Sequence, residues 1–146
     1  MNNETNEGVH FGGLITVYNK RDPEVCNEIL TDGVMTDFPP MELIKDFIRE
    51  YFPQQNSVRD DTVLPCLIGI AWSLTTELNA GDITEEVWDM ELRCIGGAIS
   101  SIFKYPFWMC EAAYDPKVSN DVSFKVTEIT EKEFLDQHAS FEDSTL

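Results

Sequence analysis

Positive charge is what this chain has least of. Ten lysines and arginines face twenty-seven aspartates and glutamates, for a formal net charge of −17 over 146 residues. Phosphate backbones and anionic lipid surfaces are held mainly by lysine and arginine, so the scarcity argues against direct nucleic-acid binding and against membrane-surface attachment. Histidine is scarcer still, with only His10 and His138. The four cysteines, Cys26, Cys66, Cys94 and Cys110, are widely and irregularly spaced with no CxxC pair. A zinc motif and a disulfide framework both lack their usual spacing, and the apolar neighbours of each thiol suggest buried structural cysteines. No apolar run reaches the roughly 18–20 residues that a bilayer span requires. The opening segment from Met1 to Glu7 is polar and acidic, unlike a signal or transit peptide, which points to a cytoplasmic protein.

Catalytic and cofactor motifs are absent as well. Ser73, Ser100 and Ser101 have no G-x-S-x-G context, and no family-type flank surrounds Cys110 or His138. The pairs Gly12-Gly13 and Gly96-Gly97 are not followed by the Lys-Ser/Thr of a phosphate-binding loop. Glu85 and Asp89 share a helical face, yet no histidine or alternating oxygen ligand accompanies them, so no metal is expected. No enzyme activity and no cofactor follow from such a chain. No resemblance to a known family is strong enough to assign one.

Hydrophobic residues at 42% and aromatics at 11% are too many for a disordered chain, and the length suits one domain. Residues 1–10 and 139–146 read as flexible ends. The β-branched and aromatic run Leu14 to Tyr18 reads as a strand, and Asn19 to Pro23 as a turn. Asp22 and Pro23 can then open a short helix to about Leu30. After Pro39-Pro40, apolar residues Met41, Ile44, Phe47, Ile48 and Tyr51 follow helical spacing up to Pro53. Asp60-Asp61 start a helix that is apolar nearly all round from Cys66 to Leu74, hence a central one, leaving through Gly81.

Thr84-Glu85-Glu86 marks the start of a long helix carrying Trp88, Leu92, Ile95, Ile99 and Ile102 on one face. Its Gly96-Gly97-Ala98 patch invites either close approach of a neighbouring helix or a kink. Pro106 separates it from a shorter helix, Val122 to Val126 alternate as a strand, and Thr130 with Glu133 forms a capping box for a last short helix. The expected fold is a mainly α (α+β) domain of about five helices with a strand near each terminus. Those two strands could pair antiparallel.

Acids crowd the stretch from Glu77 to Glu91, where Glu77, Asp82, Glu85, Glu86, Asp89 and Glu91 occur without one basic residue. Interspersed lysines would serve solubility and i,i+4 pairing better. The pattern suits a surface that meets a positive patch, although plain solubilisation would produce it too. The leading expectation is a non-enzymatic acidic inhibitor, of immunity, antitoxin or anti-defence type. It would mask a basic surface of a partner protein, nucleic-acid-binding surfaces included. Its candidate contacts are Asp82, Glu85, Glu86, Asp89 and Glu91. The alternative is an assembly or secretion chaperone-like adaptor that holds a partner segment in an apolar groove around Tyr105 and Trp108, residue types enriched at binding hot spots. A homodimer is compatible with either, with Gly96-Gly97 packing inside the chain or across a two-fold axis.

Overall fold

Among the described residues there are four strands and four helices, where the sequence suggested five helices and two strands. The computed structural model describes residues 9–35, 40–53, 58–118 and 122–144. Most of the expected N-terminal arm, the Gln54–Ser57 loop and the last two residues lie outside them. In chain order the elements are β1 (Val9–Asn19), β2 (Asp22–Met35), α1 (Met41–Tyr51), α2 (Asp60–Ala80), α3 (Glu85–Phe103), β3 (Phe107–Tyr114), β4 (Val122–Glu128) and α4 (Glu131–Ser144). The strands form one mixed sheet in the order β2-β1-β3-β4. β1 runs antiparallel to β2 and parallel to β3, and β4 returns antiparallel to β3. The strands near the two termini therefore do not pair with each other, because β3 lies between β1 and β4.

Two segments expected as helix are strands. The helix expected from Asp22 to about Leu30 is instead the first part of β2, although Val25, Cys26, Ile29 and Leu30 fit helical spacing. Pairing decides the matter: Leu14 faces Leu30 and Ile15 faces Ile29 along a long hairpin closed at Lys20-Arg21. Pro23 is tolerated because it lies in the irregularity between Asp22 and Cys26 of an edge strand, where it has no register partner on β1. Arg21 ties the hairpin tip to Asp115 at 2.6 Å. That contact and the Lys117 N–H hold the Asp115 carboxyl below the usual carboxylate range. The second segment follows Pro106, where Phe107 to Tyr114 adds to the sheet centre as β3.

The helices with clear sequence signals form as their residues dictate. Ile44 and Ile48 bury the apolar face of α1, and α2 contributes Leu67, Ile70, Ala71 and Leu74 to the core. α2 is long and apolar enough by composition to cross a membrane, but these side chains sit inside the domain. Gly81 leaves α2 at φ 82°, a left-handed conformation that suits glycine. The Thr84 hydroxyl accepts from the Val87 N–H at 3.2 Å and caps α3. Thr130 and Glu133 make the reciprocal capping box of α4. That helix continues to Ser144, well beyond the short helix expected.

Helices α1 to α3 cover one sheet face, and α4 lies on the other. Phe11, Ile15, Ile29, Thr31, Trp108 and Cys110 point from the sheet into the helical side and are buried. Gly96 lets α3 approach the sheet rather than another helix: a Cβ there would sit 2.7 Å from the Thr31 hydroxyl and 2.9 Å from Phe11. Gly96 is thus used within the chain.

Gly12 and Gly13 serve the same end in β1. The missing Gly13 side chain makes room for the Trp108 indole on the helical face, and that of Gly12 for the Phe134 ring of α4 on the opposite face. An added Cβ would lie 2.3 Å from ring carbons in both cases. We expect Gly13→Ala to cost about 3 kcal/mol, because the indole is enclosed, and Gly12→Ala about 1 kcal/mol, because α4 can shift. Urea unfolding measures both, and amide exchange in α4 should rise selectively in Gly12→Ala.

Candidate functional site

The acidic stretch forms a corner where α2 ends and α3 begins. Glu77 lies in the last turn of α2, Asp82 in the connection, and Glu85 and Glu86 in the first turn of α3. All four are exposed. Acids in a first helical turn are favoured by the helix dipole, so Glu85 and Glu86 have a local reason to be there. Glu77 does not, since it sits at the negative end of α2 and no basic residue accompanies it in that turn. Helix stability alone therefore leaves the corner unexplained.

A shallow cavity of about 340 Å³ opens at this corner, lined by Glu85, Glu86, Trp88 and Asp89. Trp88 is half-buried, anchored by its indole N–H to the Thr75 hydroxyl at 3.2 Å. An indole beside three carboxylates suits a guanidinium or ammonium group, through charge-assisted hydrogen bonds and cation–π contact. Sequence reasoning assigned Trp88 only to the apolar face of α3. Its place one residue from Asp89 and two from Glu86 was the available signal.

The remaining candidates divide. Asp89 is already paired with Arg93 at 3.0 Å, one turn further along α3. Glu91 accepts a hydrogen bond from the Tyr51 hydroxyl of α1, away from the corner. Burial and that carboxylate push the Tyr51 phenol well above its ordinary range. Asp82, Glu85 and Glu86 thus remain together at the surface, whereas Glu91 braces α1 against α3.

Tyr105 and Trp108 do not form a joint surface. Tyr105 is half-buried and stacked on Phe103 at 5.8 Å. Trp108 is fully buried, its indole N–H donating to the Ser100 hydroxyl at 2.9 Å. Fully enclosed, it offers nothing for a partner to touch.

The two histidines come together unexpectedly. His10 and His138 line a cavity of about 330 Å³ on the α4 side, with Asp32, Glu131, Phe107 and Phe134. His138 approaches Asp32 at 3.4 Å and packs edge-on against Phe134. Cys110 faces the helical side, so the sheet separates it from His138 and the two make no nucleophile–base pair. No group of three histidine, cysteine, aspartate or glutamate residues is set to hold a metal among the described residues.

Burial of the cysteines is uneven, contrary to the expectation that each was a core residue. Cys110 is buried, Cys66 half-buried, and Cys26 and Cys94 exposed; all four are free thiols. Burial pushes the Cys110 thiol up to about 12, with help from the Glu111 carboxylate. A thiol reagent at neutral pH should therefore modify Cys26 rapidly and Cys110 only after denaturation, as read by peptide mass mapping.

Comparison with protein-family models, with curated proteins and with solved structures finds no match. Any functional reading rests on the chain's own chemistry.

Proposed function

We propose that this chain is a non-enzymatic acidic inhibitor that works in the cytoplasm by covering a basic surface of another protein. Immunity, antitoxin and anti-defence proteins are the kinds of inhibitor it suits, and nucleic-acid-binding surfaces are the natural targets. One observation carries the reading: Glu77, Asp82, Glu85 and Glu86 are all exposed around the α2–α3 corner, with Trp88 beside them. Arginine and lysine side chains of the partner would bind there, with the Trp88 ring as a flat support.

Arg21, Lys45, Arg49, Arg59, Arg93 and Lys132 are ion-paired to aspartates, and with 27 acids against ten bases most carboxylates have no cation to pair with. Most carboxylates are left to act on the surroundings, and their joint field would steer a cationic partner into contact. Each surface pair contributes little to stability, so folding alone gives weak reason for this imbalance. Affinity capture on the immobilised chain tests the reading. Basic proteins should be retained at low salt and released at high salt, because exposed charges are screened beyond about 10 Å at 0.1 M. Retention unaffected by salt, or capture without preference for basic proteins, would contradict it.

A further inference from the structure

We infer that β4 is a dimerisation edge, on which a second copy of this chain pairs antiparallel to extend the sheet across a two-fold axis. The two outer strands of the sheet are not alike. β2 carries Asp22, Pro23, Glu24, Glu28 and Asp32, the charges and proline that keep an edge from pairing. β4 holds only Lys125 and Glu128 as charges, so it is neutral in a chain of net charge −17. Two of its three apolar residues are uncovered although they lie on the helical face: Val122 is 50% exposed and Phe124 37%, whereas Val126 packs against the core.

Backbone polarity favours the same edge. The Ile129 N–H donates to the Phe107 carbonyl, which fixes the alternation along the β3–β4 ladder. Odd-numbered residues of β4 direct their N–H and C=O groups to β3. Val122, Phe124 and Val126 direct theirs outward, so the residues with outward-facing backbone are the apolar ones. A two-fold axis at Phe124 sets Phe124 against its own copy and Val122 against Val126. Ser123 then faces Lys125, and no like charges meet. Shifting the axis to Lys125 would oppose two lysines across the pair, which is unfavourable. A self-complementary register of this kind favours a second copy over a foreign strand.

This inference does not depend on the inhibitor reading, and its test uses the purified chain alone. Sedimentation at increasing concentration in physiological salt should show a monomer–dimer equilibrium. Phe124→Asp should raise the dimer dissociation constant roughly 100-fold, since each dimer loses two buried rings and gains two facing carboxylates. A circular dichroism spectrum like that of the parent would show that the variant is folded. Amide exchange of the unaltered chain gives a second readout, because Val122, Phe124 and Val126 should slow as concentration rises while Thr127 stays unchanged. A chain that remains monomeric at every concentration overturns the inference, as does a dimer indifferent to Phe124→Asp. Protection of these amides only in a complex with another protein also overturns it, and assigns the edge to that protein's strand.

Discussion

Trp108→Ala is expected to destabilise the chain by about 3–5 kcal/mol, the range for truncating a fully buried large aromatic. The indole fills the space above Gly13, beneath α3, and its N–H satisfies Ser100, whose hydroxyl is buried. Removing it leaves both a void and an unpaired buried polar group, and the second adds about 1–3 kcal/mol where no water enters. At this chain length the melting temperature should fall by about 10–15 °C. Thermal unfolding followed by circular dichroism measures it. Trp108→Phe keeps most of the ring volume and loses the hydrogen bond, so its loss should be smaller. A surface hot spot would behave differently: truncation would weaken partner binding and leave melting unchanged. An unchanged melting temperature in Trp108→Ala would contradict the core placement.

The second large effect is expected at the acidic corner. Glu85→Lys with Glu86→Lys replaces two negative charges by two positive ones beside Trp88, while Asp82 and Glu77 remain. Affinity for a basic partner should fall by roughly 100-fold or more at low salt, because close charge pairs at an interface are each worth about 1.5 kcal/mol upward. Stability should fall only slightly, by roughly 0.5–2 kcal/mol, as lysines replace acids at the positive end of α3. Melting curves beside titration calorimetry separate the two effects. Glu91→Gln serves as the contrast, since Glu91 engages Tyr51 away from the corner. It should leave partner affinity close to that of the parent chain.

Legibility in the sequence followed the range of the interactions. α1, α2, α3 and the start of α4 were readable because caps, prolines and apolar spacing act within a few residues of one another. Thr84, Gly81 and the Thr130–Glu133 box all form as local chemistry dictates. β2 and β3 were misread because their strand character depends on distant partners. Ile29 is buried through Ile15, and the aromatic run after Pro106 enters the sheet because Gly12 and Gly13 leave room for ring packing. The same glycines show how an absent motif can still mark a structural role. They do not cradle phosphate; they accept two aromatic rings from opposite faces.

The candidate site was legible as composition and not as geometry. A run of acids without a basic residue identifies a charged stretch, whatever its fold. Only the fold separates Asp82, Glu85 and Glu86 from Glu91, which is occupied by Tyr51, and brings Trp88 to the cavity rim. Trp108 shows the reverse error, since an aromatic type common at interfaces here serves the core. The meeting of His10 and His138 depends on α4 folding back over β1, a long-range contact that no local pattern encodes.

Association kinetics against ionic strength would test the inhibitor reading most directly, using a basic protein recovered by capture on the unaltered chain. The association rate constant should fall steeply as salt rises, with dissociation changing far less, and the Glu85→Lys, Glu86→Lys variant should lose most of that slope. A flat salt dependence, shared by the unaltered chain and the reversed one, would show that the exposed acids do not recruit the partner.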